Sequence, residues 1–490
     1  MSEAAAISID DVRDEAHPLV DKDLVRWHLI AAVFFMFTAM LGGFIASLQF
    51  LNEYPFNGIS WLSYGRLRFL HTNEVAFGFL VNSFVGMLYY AVPRLTGRRL
   101  FNRTLGWLIF FVWQALVLLT SIGQLLGKAQ AVEWGETPTG FRPGTFELNY
   151  VPVDFLIEVG AVLLAVNLLY PIAKSIHKRL YVSLWYITAG MIWLILTYVM
   201  GNTLPEWTLA GSSGGATAGL YIHDLVGLFV TPFGWGLMYF FVPIILRKPI
   251  WSHALSVIGF WALAFFYPLN GVHHFLYSSI PMSVQYGAII ATIAVEIVVT
   301  TVVVNFFGTM WGRGYALRQS IPIRWFYTGM VFYFTTCLQC SFQTTLTFQE
   351  IIHFTDWVPG HAHLVMLGVF AFWNMGMIVW LWPRLTGHEW YSRRLLGWHY
   401  WLVMLGLLIM FLDLTAAGLV HGFMFKNMAP WMRIVDSLKP FWWFRTFAGA
   451  MIITGVSCFI YNLWMTAKHD KPYDYRVDLV HDPKEAIANG

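Results

Sequence analysis

Twelve apolar stretches divide the chain, at 27–50, 70–93, 104–126, 152–172, 180–200, 219–244, 254–276, 282–308, 323–348, 360–383, 397–422 and 441–467. Each is close to the ~20 residues that a helix needs to cross a hydrocarbon core. Lipid offers no hydrogen-bond partner to the backbone, so such stretches must satisfy their peptide groups internally, as helices. The expected fold is therefore an all-α membrane protein, a bundle of about twelve transmembrane helices. It has three parts: a polar segment 1–26, a membrane domain 27–467 and a polar tail 468–490. Charged residues are 12% of the chain, against roughly 25% in an average soluble domain. So few charges cannot cover a soluble surface, and the apolar excess must face lipid.

The connections alternate in charge. Arg94, Arg98, Arg99 and Arg103 follow the second stretch; Lys174, Lys178 and Arg179 the fourth; Arg247 and Lys248 the sixth. Arg313, Arg318 and Arg324 follow the eighth, and Arg384, Arg393 and Arg394 the tenth. The opposite connections carry Glu133, Glu136, Glu206, Glu350 and Asp356. Positive-inside reasoning then puts both termini in the cytoplasm, in a cell inner membrane. Segment 1–26 lacks the pattern of a cleaved signal peptide, so the first span is expected to act as the insertion signal. The cysteines, Cys337, Cys340 and Cys458, lie in apolar stretches and suggest neither a disulfide framework nor a zinc site. Cys337-Leu-Gln-Cys340 reads as core packing. No CxxCH occurs, so the chain attaches no covalent haem c. There is no short-period repeat, and a nucleic-acid partner is not expected.

Ionisable groups inside spans are costly and mark function. Six histidines stand out: His71 opening the second span, His223 the sixth, His361 and His363 the tenth, with His273 and His274 closing the seventh. With the orientation above, all six fall at the outer ends of their helices, as a buried metal cluster requires. His17, His28, His177, His253, His388, His399, His421, His469 and His481 read as surface or interfacial, and His353 receives no ligand role. Neutral imidazole suits copper and haem iron. His361 and His363 are about 200° apart around a helix, so they can serve two haems on opposite faces but not chelate one ion. His71 can complete one haem as a low-spin centre, leaving the other with an open position. His273 and His274, about 100° apart, can share one copper with His223.

Four segments carry a resemblance: Gly65-Arg-Leu-Arg-Phe-Leu-His71-Thr-Asn, His223-Asp-Leu-Val-Gly-Leu-Phe, Tyr267-Pro-Leu-Asn-Gly-Val-His273-His274 and Asp356-Trp-Val-Pro-Gly-His361-Ala-His363. Together they resemble the haem–copper oxidase superfamily, and look most like its C-type branch, the catalytic subunit of cbb3-type cytochrome c oxidases. The resemblance covers about 60–450. It implies two b-type haems and a copper. His71 and His363 would ligate the low-spin haem, His361 would be the proximal ligand of the high-spin haem, and His223, His273 and His274 would hold copper. Tyr267 matches a tyrosine cross-linked to a copper-ligand histidine, here His223. Splitting O2 in one step takes four electrons; haem iron supplies two, copper one, and a phenol the fourth with its proton. Arg68 and Arg445 resemble propionate-binding arginines, and Glu147 a calcium ligand. The implied activity is O2 reduction to water coupled to proton uptake and translocation. Electrons would come from a soluble cytochrome c through at least one membrane-anchored c-type cytochrome subunit.

The related nitric oxide reductases hold iron in place of copper, with a glutamate four residues after the first histidine ligand. That position is Gly227, which favours copper. Both groups generally carry a glutamate where this chain has Gln339, and the C-type lysine position is Leu346. Glutamine cannot carry a proton, so proton delivery differs here or the substrate is NO. Asp224 reads either as a replacement carboxylate or as an interfacial aspartate. Thr231, Thr292, Thr300 and Thr301 are candidates for a proton path with water. Nitric oxide reduction is the first alternative. A haem-b electron carrier would lack the His273-His274 pair, and a channel or transporter would carry other polar groups at that depth.

Overall fold

The computed structural model describes residues 19–51, 54–127, 153–209, 211–475 and 480–481. Twelve long helices and no strand occur among them. They are α1 Lys22–Leu48, α2 Tyr64–Thr96, α3 Arg103–Leu125, α4 Val153–Ala173, α5 Val182–Thr203 and α6 Gly211–Leu246. The second half of the chain forms α7 His253–Phe275, α8 Met282–Met310, α9 Ile321–Gln343, α10 Trp357–Thr386, α11 Arg393–Lys426 and α12 Trp431–Ala467.

Eleven helices are long and apolar enough to cross a membrane. α9 differs from the expectation. It has 23 residues but is diluted by Arg324, Thr335, Thr336, Gln339, Ser341 and Gln343. It packs against α8 and α10, and protein neighbours accept polar side chains that lipid would not. Several helices also outrun their apolar stretches. α6 begins at Gly211, so His223 lies three turns inside the helix. The added turns are made of small and polar residues, Gly211-Ser-Ser-Gly-Gly-Ala-Thr217, which hydropathy does not register.

Three corners share one construction. α2, α6 and α10 end on the left-handed residues Gly97, Arg247 and Gly387. Five residues later the next helix starts at Asn102, Ser252 or Ser392, each capping the N–H three residues on. The backbone N–H of each cap donates to a buried asparagine on the following helix: Asn167, Asn305 and Asn462, at 3.0, 2.9 and 3.0 Å. These clasps satisfy the donors that a corner cannot turn inward. They repeat in space although the sequence shows no short-period repeat.

α2, α6 and α10 are the centre of the bundle. Their most apolar windows are 94%, 94% and 89% buried, and no other spanning helix exceeds 50%. Each contains a widened π segment: Glu74–Val81, Leu225–Val230 and Leu364–Ala371. Each segment starts within three residues of a histidine of interest, and such distortions collect at functional sites because they re-aim side chains.

Candidate metal centre

His223 comes from α6, and His273 and His274 from the 3-10 turn Gly271–Phe275 that ends α7. Pro268 interrupts the α-helical ladder just before that turn. One ligand atom from each of the three histidines lies within 4.8 Å of the others. His223 Nδ1 and His274 Nε2 are 3.0 Å apart. His273 Nδ1 lies 2.7 Å from Thr292 Oγ1, whose own hydrogen goes to the Ala288 carbonyl. Thr292 must therefore accept from the imidazole N–H, which leaves His273 Nε2 with its lone pair free for a metal. Three neutral imidazoles converging in this way fit copper.

Beside the trio, the Tyr267 ring stacks on His223 with centroids 4.6 Å apart and planes 15° apart. Tyr267 also closes against Gly227, one turn beyond His223. A Cβ at Gly227 would stand 1.6 Å from Tyr267 Cε1. The space in which a carboxylate at position 227 would begin is filled by the phenol ring.

His71 and His363 face each other, with ring centroids 6.0 Å apart and planes 24° apart. Their Nδ1 atoms lie 2.7 Å from the carbonyls of Ala39 and Pro359 respectively. A carbonyl only accepts, so each Nδ1 carries the hydrogen and each Nε2 keeps a lone pair. An imidazole nitrogen sits about 2 Å from its metal and roughly 1 Å from its ring centre, so two axial rings on one ion lie roughly 6 Å apart. The pair fits a haem iron. The His71 ring rests on Gly43 of α1, where a Cβ would come 2.6 Å from Nδ1.

His361, two residues before His363, turns the other way. It contacts α9 through Gln339, Thr336 and Cys340. It also interacts electrostatically with His223, His273 and His274. One helix thus presents its two imidazoles to different sides, as the two-residue spacing requires.

Arg445 lies on α12, 3.8 Å from Asp356 Oδ1 and 4.1 Å above the Phe50 ring. Its Nε and Nη2 are buried and have no partner among the described residues. Two orphaned guanidinium nitrogens suit a carboxylate such as a haem propionate. Arg68 is half-buried on α2, one turn before His71. Glu147 lies outside the described residues. His353 follows the short helix Leu346–Ile352, and burial lowers its pKa below the usual imidazole value. Asp224 is buried, with Oδ1 unpartnered among the described residues.

Two histidines read as surface or interfacial are core residues. His28 is 1% exposed and bonds Asn82 at 3.1 Å; His399 is 0% exposed and stacks on Phe459 at 4.2 Å. Each sits on the inward face of its helix near the end, where aromatic neighbours replace water. Cys340, read as packing, touches His361 Nε2 at 3.5 Å, and the cysteines are free thiols. Thr292 and Thr301 bond carbonyls of their own helix. Sequence reasoning passed over the intramembrane carboxyls, Glu74 and Glu296 among them. Glu74 accepts from Thr38 at 2.6 Å and from Ser121 at 2.8 Å. Glu296 accepts from Ser341. The signal was present, since each is an acid inside an apolar stretch.

The family model described as "Cytochrome C and Quinol oxidase polypeptide I" matches residues 23–451. Among curated proteins, the chain is similar to "Cytochrome c oxidase subunit 1" of Rhodobacter capsulatus, 28% identical over 471 residues, covering 91% of this chain and 86% of that one. It is similar to "Cbb3-type cytochrome c oxidase subunit CcoN1" of Stutzerimonas stutzeri, 29% identical, covering 92% and 96%. A nitric oxide reductase chain of Stutzerimonas stutzeri is 25% identical, covering 89% and 93%. A solved heme-copper terminal oxidase dimer shares the fold, with a TM-score of 0.73 at 15% identity over 95% of this chain and 87% of that one.

Proposed function

Because the chain belongs to the cytochrome c and quinol oxidase polypeptide I family, we propose that its six converging histidines hold two b-type haems and one copper. The chain is a multi-pass membrane protein and a haem–copper oxidase subunit I, related to the cbb3-type enzymes and more distantly to nitric oxide reductase. Its reaction is the reduction of O2 to water.

His71 and His363 would hold the low-spin haem, with the Ala39 and Pro359 carbonyls fixing both tautomers. His361 would hold the high-spin haem, and His223, His273 and His274 the copper. Bound there, haem and copper supply the O2-binding position and the electrons that reduce it. Tyr267 Oη carries a proton, and an electron with it, at the edge of that site. Arg68 and Arg445 would bind propionates, and Glu147 a calcium ion beside them.

The observation that carries copper and O2 is the contact of Gly227 with Tyr267. The ring and a ligand-bearing side chain at 227 cannot occupy the same space. A three-histidine site with a neighbouring phenol suits a four-electron reduction better than a four-ligand iron site does.

With the Lys and Arg distribution of the connections, 27–467 forms one membrane domain, both termini are cytoplasmic and the metals lie toward the outer face. Electrons enter from that face. The chain has no CxxCH, so a membrane-anchored c-type cytochrome subunit and a soluble cytochrome c would supply them.

The test is metal analysis of the purified complex, with O2 and NO consumption assayed on the same sample. Copper at about one per high-spin haem with rapid O2 uptake is expected. Non-haem iron with dominant NO turnover would overturn the reading.

A further inference from the structure

α1 and α2 meet along a seam that leads to His71. Residues three and four apart share one face of a helix, and Gly78, Glu74 and His71 follow one another on α2 toward its outer end. Each of them meets α1. A Cβ at Gly78 would stand 2.6 Å from Phe35 Cβ. Glu74 Oε2 accepts from Thr38 Oγ1 at 2.6 Å. His71 Nδ1 donates to the Ala39 carbonyl at 2.7 Å, and its ring rests on Gly43. The carboxyl is thus the rung next to the imidazole, and its partner on α1 is the residue before Ala39.

Glu74 is buried, and a carboxyl inside a span is costly unless it has partners or a task. It is the first residue of the π segment Glu74–Val81, where a widened turn re-aims side chains. Its second oxygen, Oε1, accepts from Ser121 Oγ on α3 at 2.8 Å. One side chain therefore ties α2 to the helices on both sides of it. Apolar contact along the seam limits how closely the helices approach. A hydrogen bond is directional and fixes where along the seam they stop.

We propose that Glu74 is a positioning residue for the low-spin haem: by holding Thr38 it fixes the Ala39 carbonyl against His71 Nδ1. The inference rests on the haem role proposed for His71 and His363. With the carbonyl held, the imidazole keeps its plane and stays a strong donor to iron. With α1 released, the N–H···O bond lengthens, the ligand becomes a poorer donor and the ferrous state gains. The effect belongs to one haem, because His361 is held from α9.

The seat asks for hydrogen bonds at two atoms, which an amide also makes. The Thr38 hydroxyl lies 3.2 Å from the Phe35 carbonyl as well. A glutamine at 74 donates to Thr38 Oγ1 while Thr38 turns its hydrogen to that carbonyl, and Ser121 donates to the amide oxygen. A leucine makes neither bond.

The experiment is electron paramagnetic resonance of the oxidised, purified full complex, with potentiometric titration of both haems, for Glu74→Gln, Glu74→Leu and Thr38→Val. Glu74→Leu and Thr38→Val are expected to shift the low-spin g values and raise the low-spin midpoint potential, with the high-spin haem unchanged. Low-spin haem should pass to apomyoglobin about tenfold faster in both, the low end of the range for a lost support of a metal ligand. Glu74→Gln should keep the unmodified values. Unmodified low-spin values in Glu74→Leu or in Thr38→Val would overturn the proposal, and so would a shift of both haems together, which is general loosening. A shift in Glu74→Gln as large as that in Glu74→Leu would overturn it too, since charge would then be what matters. Should Glu74→Leu not assemble, Thr38→Val carries the test alone. Failure of the haem reading is separate: the unmodified complex would then show no bis-histidine low-spin signal.

Discussion

His361 Nδ1 donates to Gln339 Oε1 at 2.8 Å. A neutral amide accepts that N–H, so the imidazole stays a neutral ligand oriented by α9. An acceptor bearing full negative charge would draw the proton further and make His361 a stronger electron donor to iron.

Gln339→Glu is therefore expected to lower the midpoint potential of the high-spin haem, because a more basic axial ligand favours the ferric state. Gln339→Leu should leave the N–H only the longer 3.4 Å contact with Thr336 Oγ1 and loosen His361, at a cost of about 1 kcal/mol. Potentiometric titration followed at the high-spin haem checks both. An unchanged potential in Gln339→Glu would contradict the role given to this bond.

Gly227→Ala tests the packing of Tyr267. The new Cβ would stand 1.6 Å from Cε1, so the ring must leave its place beside His223. Copper content and O2 uptake should fall together. The double variant Gly227→Ala, Tyr267→Ala removes the clash and should recover copper without recovering uptake. Failure of copper to return would show that the defect is not steric.

His363→Ala and His361→Ala should remove different haems. The first is expected to abolish the low-spin optical signature, since His71 and His363 face one another at 6.0 Å. The second should abolish the high-spin signature and spare the low-spin one. Loss of the same haem in both variants would sink the two-sided reading of α10.

Thr292→Val removes the acceptor for the His273 N–H while keeping the side-chain shape. Losing such a support typically weakens metal binding roughly 10–100-fold. Chelator competition on the purified complex measures this. Unchanged copper retention would mean that His273 is held by packing alone.

Hydropathy is a local property, and most of its consequences were legible. Spans appear as runs of apolar residues. The spacing of His361 and His363 alone requires that they face opposite ways, because a helix turns a constant angle per residue. The gathering of His71, His223, His273, His274, His361 and His363 at one end of the bundle could also be read, because alternating spans convert chain position into depth.

Tertiary structure decided the contacts between side chains that meet from distant parts of the chain. α9 keeps its polar residues because α8 and α10 cover it. His28 and His399 are core residues because Asn82 and Phe459 reach them from other helices. Gly227 and Tyr267, on α6 and α7, exclude one another's bulk only once those helices pack. Glu296 finds Ser341 in the same way, across the seam between α8 and α9. Apolarity and helical period act along the chain, residue by residue. Which face of one helix meets which face of another is settled by the packing of the whole bundle, and that choice makes six histidines into a site.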